Sequence, residues 1–239
     1  MFTDDKMNEI DFERSWLSKF SSCLKKMAGE EIRRDVMQGS EKLSGDSRPE
    51  EIVGWTKEAM DRLDALLDKE KRKEIMAGCA CQYPQSELQD IREAYEKTGE
   101  VDVPHQMLQG KFVSFLRNSL RLNDELVEDI VSRGWGPAGV REGSRIMTTK
   151  IPKSCNLEQY MKETDREKRR ALYCHCPRIR ETIGSKMRLS STYCYCGAGF
   201  YKAIWEYTLQ QPVKVELLES ALKGDDVCRV AIHLPARRP

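Results

Sequence analysis

The chain has 239 residues, enough for one large domain or two smaller ones and for a sizeable core without covalent staples. Its net charge is +1, with 33% charged and 39% hydrophobic residues, which excludes a global field that would recruit nucleic acid or an anionic membrane surface. No apolar run of ~18 residues is present to span a bilayer, and residues 1–6 show no leader-like pattern, so the expectation is a cytoplasmic protein with reduced thiols and no nucleic-acid or membrane partner.

Taken in chain order, residues 1–133 read as helices. Ile52, Ala59, Met60, Leu63, Leu66 and Leu67 form an apolar stripe in a charged segment that runs to Ile75 and stops at Gly78. Ser86 is a candidate cap for the next helix, whose Glu87, Asp90 and Glu93 suit a helix N-terminus and which ends near Gly99. Leu108, Phe112, Phe115 and Leu116 mark another helix, and Leu122, Leu126 and Ile130 a further one.

The texture changes at the breaker cluster Gly134-Trp135-Gly136-Pro137-Ala138-Gly139. Beyond it, Arg145 to Ile151 has strand composition, Leu157 to Leu172 reads as a charged helix, and Ser191 to Cys196 again reads as strand. Gly197-Ala198-Gly199 breaks that segment, and a helical stripe of Phe200, Ile204 and Tyr207 follows. Val213 to Leu217 and Val227 to Ile232 read as strands with a turn at Gly224-Asp225-Asp226. The expected fold class is α+β: a helical half over residues 1–133, then an antiparallel sheet packed by helices over residues 134–239.

Six of the nine cysteines fall in Cys-X-Cys pairs: Cys79 and Cys81, Cys174 and Cys176, Cys194 and Cys196. In a reducing compartment this clustering points to metal or redox chemistry rather than structural disulfides. Thiolates are soft, strong ligands for zinc, copper(I) and iron–sulfur clusters. Two pairs supply the four sulfurs of one tetrahedral site. If Ser191 to Cys196 is a strand, Cys194 and Cys196 share one face, because the side-chain period is two. Pro177 holds the backbone before it extended at the second pair. Simple packing is the competing explanation for any buried cysteine, and it is the expectation for Cys23, Cys155 and Cys228, which have no paired neighbour. Zinc is the first expectation as cofactor and an iron–sulfur cluster the alternative.

Between Lys162 and Arg188 there are nine basic and four acidic residues. Positive neighbours stabilise thiolates and also hold carboxylates. Arg178 and Arg180, beside the second pair, are therefore candidate holders of an anionic small molecule. Glu206, on the helix after the third pair, is a candidate ligand-contacting group or base. His105 and His233 read as structural. No G-x-S-x-G, P-loop, G-x-G-x-x-G after a strand or H-E-x-x-H occurs, so no catalytic residue is assigned.

The stretches Gly197 to Glu206, Gln211 to Glu216, Glu219-Ser220 and Gly224 to Ile232 resemble the 4-vinyl-reductase-like domain family, which includes bacterial proteins described as aminothiazoline-carboxylate hydrolase-like. The resemblance implies an α+β fold, a homodimer, a small-molecule-binding or sensory role and a metal near the cysteines. It places Cys228 at the family's late cysteine and Ser220 where many relatives carry another. Two functions follow as expectations: a metal-binding protein that senses a small molecule, or a metal-dependent hydrolase acting on a small cyclic or sulfur-containing amino-acid derivative.

Overall fold

Apolar residues at helical spacing build the first half of the chain. The computed structural model describes residues 9–152, 156–174, 176–180, 182–183, 185 and 187–235. Helix α1 (Glu9–Ala28) buries Trp16, Phe20 and Leu24, one every four residues along a single face. Helix α2 (Glu30–Met37) follows, then α3 (Pro49–Leu66) and α4 (Lys69–Gly78). The single helix expected through Ile75 is thus two. Asp68 makes the break, because its carboxylate accepts the Lys71 backbone N–H at 3.0 Å and caps a new N-terminus. Helix α5 (Gln89–Thr98) ends as expected at Gly99, whose φ of 65° suits glycine. Helices α6 (Asp102–Ser114) and α7 (Asp124–Ser132) are joined through a π-helical turn at Phe115–Ser119.

The second half carries one sheet. Strands β1 (Val140–Glu142), β2 (Arg145–Thr149), β3 (Lys214–Glu219) and β4 (Arg229–His233) lie in the order β1-β2-β4-β3, and every neighbouring pair is antiparallel. This is the expected α+β class. The expected helix over Leu157–Leu172 is α8 (Leu157–Lys162) and α9 (Arg166–Tyr173), separated because Asp165 accepts the Lys168 N–H at 2.9 Å and starts a helix of its own. The short α10 (Pro177–Arg180) comes next.

Ser191 to Cys196 is not a strand. A 3-10 turn at Ser191–Cys194 runs directly into α11 (Tyr195–Leu209). Ser190 starts it by accepting the Thr192 N–H at 3.3 Å. Gly197, Ala198 and Gly199 do not break the chain; they form the first turns of α11. The reason is packing. A Cβ at Gly199 would stand 2.0 Å from the Ala77 carbonyl oxygen, so glycine lets α11 lie directly on the end of α4.

Helix α11 joins the two halves of the chain, packing against α4, α5 and β3. Its Ile204, Trp205 and Leu209 are at most 1% exposed, and burying each such side chain contributes roughly 1.5–3 kcal/mol. One cluster of buried side chains runs from Trp16, Phe20 and Leu63 in the helices to Ile146, Val230 and Ile232 in the sheet. No helix among the described residues is long and apolar enough to cross a membrane.

Candidate thiol centre

The three Cys-X-Cys pairs come within electrostatic reach of one another around the α4–α11 contact. Cys79 is the C-cap of α4, fully buried, with its thiol 3.1 Å from the Met76 carbonyl. Cys196 sits in the first turn of α11, with Sγ 4.0 Å from the Cys79 carbonyl. The close approach at Gly199 brings these two residues together. Gly78 acts similarly one residue earlier: a Cβ there would meet the Cys23 sulfur of α1 at 2.8 Å.

The side chains sort into two groups. Cys79, Cys81, Cys176 and Cys196 form the first. Cys196 is within electrostatic reach of Cys79, Cys81 and Cys176, and Cys81 also of Cys176. Cys176 Sγ lies 3.7 Å from the Tyr193 hydroxyl. The second group is Cys174, Cys194 and Cys228, with Ser220 beside Cys194. The groups meet at Cys176, which also neighbours Cys174 and Cys194. Within the third pair, Cys194 and Cys196 face different neighbours. Residues two apart on a helix point roughly 200° apart about its axis, whereas a strand would have aligned them.

Burial dominates most of these thiols and pushes them up. This holds for Cys79, Cys81, Cys176, Cys194 and Cys228, and for Cys174 the push reaches about 12. Cys196 goes the other way. The neighbouring Cys79 thiol lowers it most, against burial, and the Trp16 indole N–H and the charges of Lys150 and Arg178 add to the fall. Trp16 is 3% exposed and its Nε1 has no hydrogen-bond partner, so a buried donor stands unused near Cys196.

Lys150 stands between the two groups, and sequence reasoning did not single it out. It extends the β2–β4 ladder: its N–H donates to the Cys228 carbonyl at 2.9 Å. The Tyr173 hydroxyl donates to the Lys150 carbonyl at 2.5 Å and accepts from the Cys228 N–H at 2.7 Å. The Lys150 residue is half-buried. Burial works against its charge, and the thiols of Cys174, Cys228, Cys176 and Cys196 outweigh that. Cys81 is exposed and opens the first group to solvent, while Cys176, Cys194, Cys196 and Cys228 are half-buried.

The predicted anion-holding residues are placed differently from the expectation. Arg178 is 0% exposed; it donates to the Glu13 carboxylate and, at 2.9 Å, to the Thr56 hydroxyl. Its guanidinium lies 4.2 Å from the Trp16 ring centroid and 5.7 Å from that of Trp55. The carboxylate it holds is the chain's own. Arg180 is exposed on α10. Glu206 pairs with Lys202 and accepts the Val213 N–H at 3.1 Å, which ties α11 to the start of β3. The expectation for Cys155 lies outside the described residues.

Among the described residues, no group of three or more Cys, His, Asp or Glu stands at the spacing that holds a metal ion. The donor set itself is all sulfur, with a buried N–H near one thiol and an ammonium alongside. Thiolate sulfur is the donor type that soft metals take.

Residues 123–238 match a family of unknown function (DUF6144). That segment holds the sheet, Lys150, the second and third pairs and Cys228, but not Cys79 and Cys81. No curated protein and no solved structure matches the chain.

Proposed function

We propose that this chain is a metal-binding protein whose centre is a thiolate site formed by Cys79, Cys81, Cys176 and Cys196. Zinc is the first choice and an iron–sulfur cluster the second. The observation that carries the reading is the convergence of cysteines from all three pairs, remote in sequence, at the junction of α4 and α11. Cysteines whose only role was packing would have no reason to gather beside an ammonium, as Cys81, Cys174, Cys176 and Cys196 do. Four thiolates on one divalent ion make a closed site of structural type, which is the chemistry this donor set supplies. The Trp16 N–H then donates to the Cys196 sulfur as an outer partner of the kind that orients and tunes metal ligands. Cys79 and Cys196 also tie the helical half to α11, so metal occupancy couples to fold stability.

The decisive experiment is elemental analysis of the full chain purified anaerobically, with an absorption spectrum of the same sample. One zinc per chain without visible bands, or iron and sulfide with visible charge-transfer bands, supports the reading. The supporting result also requires that Cys196→Ser loses the metal while Cys23→Ser keeps it. Absence of stoichiometric metal, with every thiol titratable, rejects it.

A further inference from the structure

A disulfide needs only two sulfurs, and the backbone brings one pair together. Gly199 of α11 stands so close to Ala77 of α4 that an added Cβ would fall 2.0 Å from the Ala77 carbonyl oxygen. Cys196 lies three residues before Gly199 on the same helix, hence on the face turned toward α4. Cys79 is two residues beyond Ala77, at the C-cap of α4. The side chains agree with this placement. The Cys196 thiol reaches the Cys79 carbonyl at 4.0 Å, and the Cys79 thiol donates to the Met76 carbonyl at 3.1 Å. Both thiols therefore stand at the C-terminal end of α4, against carbonyls of the kind a helix end leaves open. Both are free.

The two thiols differ in access. Cys79 is 0% exposed, whereas Cys196 is half-buried. A small oxidant arriving from solvent meets Cys196 first, and Cys79 reacts through it.

We infer that Cys79 and Cys196 are a redox-active pair in the metal-free protein, Cys196 reacting with hydrogen peroxide and Cys79 resolving the product to a disulfide. The inference goes beyond the metal-binding reading and does not rest on it. In the first step the Cys196 sulfur attacks the peroxide. An S–O bond forms, the O–O bond breaks, and the leaving oxygen takes up the thiol proton and departs as water. In the second step the Cys79 sulfur attacks the Cys196 sulfur. An S–S bond forms, the S–O bond breaks, and the hydroxyl leaves with the Cys79 proton as water. The two thiols lose two electrons together, and one peroxide becomes two waters. Each sulfur turns from its carbonyl toward the other, so two S–H contacts are exchanged for one covalent tie between α4 and α11, across 117 positions of sequence.

The test uses the full chain, reduced and stripped of metal with a chelator, then treated with equimolar hydrogen peroxide. Remaining thiols are blocked with N-ethylmaleimide, and peptides are mapped by fragmentation without reductant. The expected result is a loss of two free thiols per chain and one cross-link within the chain, Cys79 to Cys196, which dithiothreitol reverses. In Cys79→Ala the cross-link is absent and a dimedone adduct of the trapped sulfenic acid accumulates on Cys196. Cys23→Ser is expected to cross-link as wild type does. The map of the wild-type chain decides the matter even where a variant fails to fold.

A link from Cys79 to Cys23, a link from Cys196 to Cys81 or Cys176, or links only between chains overturns the inference. So does retention of every thiol after peroxide treatment. Metal content is read separately by elemental analysis. A chain that binds no metal yet forms the link refutes the metal-binding reading alone, and a chain that binds metal but forms no link when stripped refutes this inference alone.

Discussion

Two cations, buried Arg178 and half-buried Lys150, stand in different surroundings. Arg178 has a partner for its charge in Glu13 and for a second N–H in Thr56, and it is sandwiched against Trp16 and Trp55. Lys150 has thiols as its electrostatic neighbours among the described residues. The first arrangement pairs the cation with a carboxylate and binds α10 to α1 and α3. In the second, no carboxylate among the described residues pairs with the ammonium. A buried positive charge beside a cluster is therefore not in itself a sign of a site; what matters is whether the chain has already neutralised it.

The strongest way to break this comparison is to remove the Arg178 partner. Glu13→Gln leaves a buried guanidinium without its counter-charge, and the expected loss is about 3–5 kcal/mol in chemical denaturation. Replacing both members with apolar residues of similar volume is expected to cost far less, because the desolvation of the pair disappears with it. A Glu13→Gln protein as stable as wild type would mean that Arg178 is not a scaffold charge, and its contrast with Lys150 would collapse.

A second, smaller effect probes the floor on which the thiols stand. In Gly199→Ala the new methyl group falls on the Ala77 carbonyl, a backbone atom that cannot rotate away. Overpacking of this kind costs about 1–3 kcal/mol. It also forces α4 and α11 apart, so Cys79 and Cys196 separate and bound metal is lost along with stability. Retention of stoichiometric metal in Gly199→Ala would show that the α4–α11 approach is not what assembles the centre.

Much of this was legible in the sequence and some was not, for physical reasons. The strands over Val213–Leu217 and Val227–Ile232 show in their alternation and in the Gly-Asp turn between them. The cysteine pairs show in their spacing. The breaks at Asp68 and Asp165 carried a usable signal, an acidic cap before a charged run, which the continuous apolar stripes obscured. Ser191–Cys196 misread as strand because its β-branched and aromatic residues favour that state, while the decisive term was tertiary: glycine at 199 accepting the end of α4. Strand β1 is three residues long and largely polar, so local pattern does not mark it. The roles of Arg178 and Lys150 had no local signal at all. One depends on Glu13, 165 positions upstream; the other depends on thiols gathered from three separate segments.

The finest distinction separates two thiols of the same group. Cys81 is exposed, yet burial of its surroundings and the neighbouring Cys196 raise it above the ordinary thiol range. Cys196 is half-buried, yet the Cys79 thiol, the Trp16 N–H and the Lys150 charge lower it. Alkylation follows the thiolate fraction as well as access. As pH rises in the metal-free, reduced protein, Cys196 ionises first, so its labelling by iodoacetamide is expected to reach half its maximum at a lower pH than that of Cys81. Peptide mapping after timed alkylation reads both sites in one sample. In Lys150→Met the Cys196 curve is expected to move up toward the ordinary thiol range while the Arg178–Glu13 pair remains intact. If Cys81 leads Cys196 at every pH, access governs the centre and the ammonium does not shape its chemistry. If Cys196 leads and its curve moves up in Lys150→Met, the Lys150 charge is tied to the sulfur chemistry.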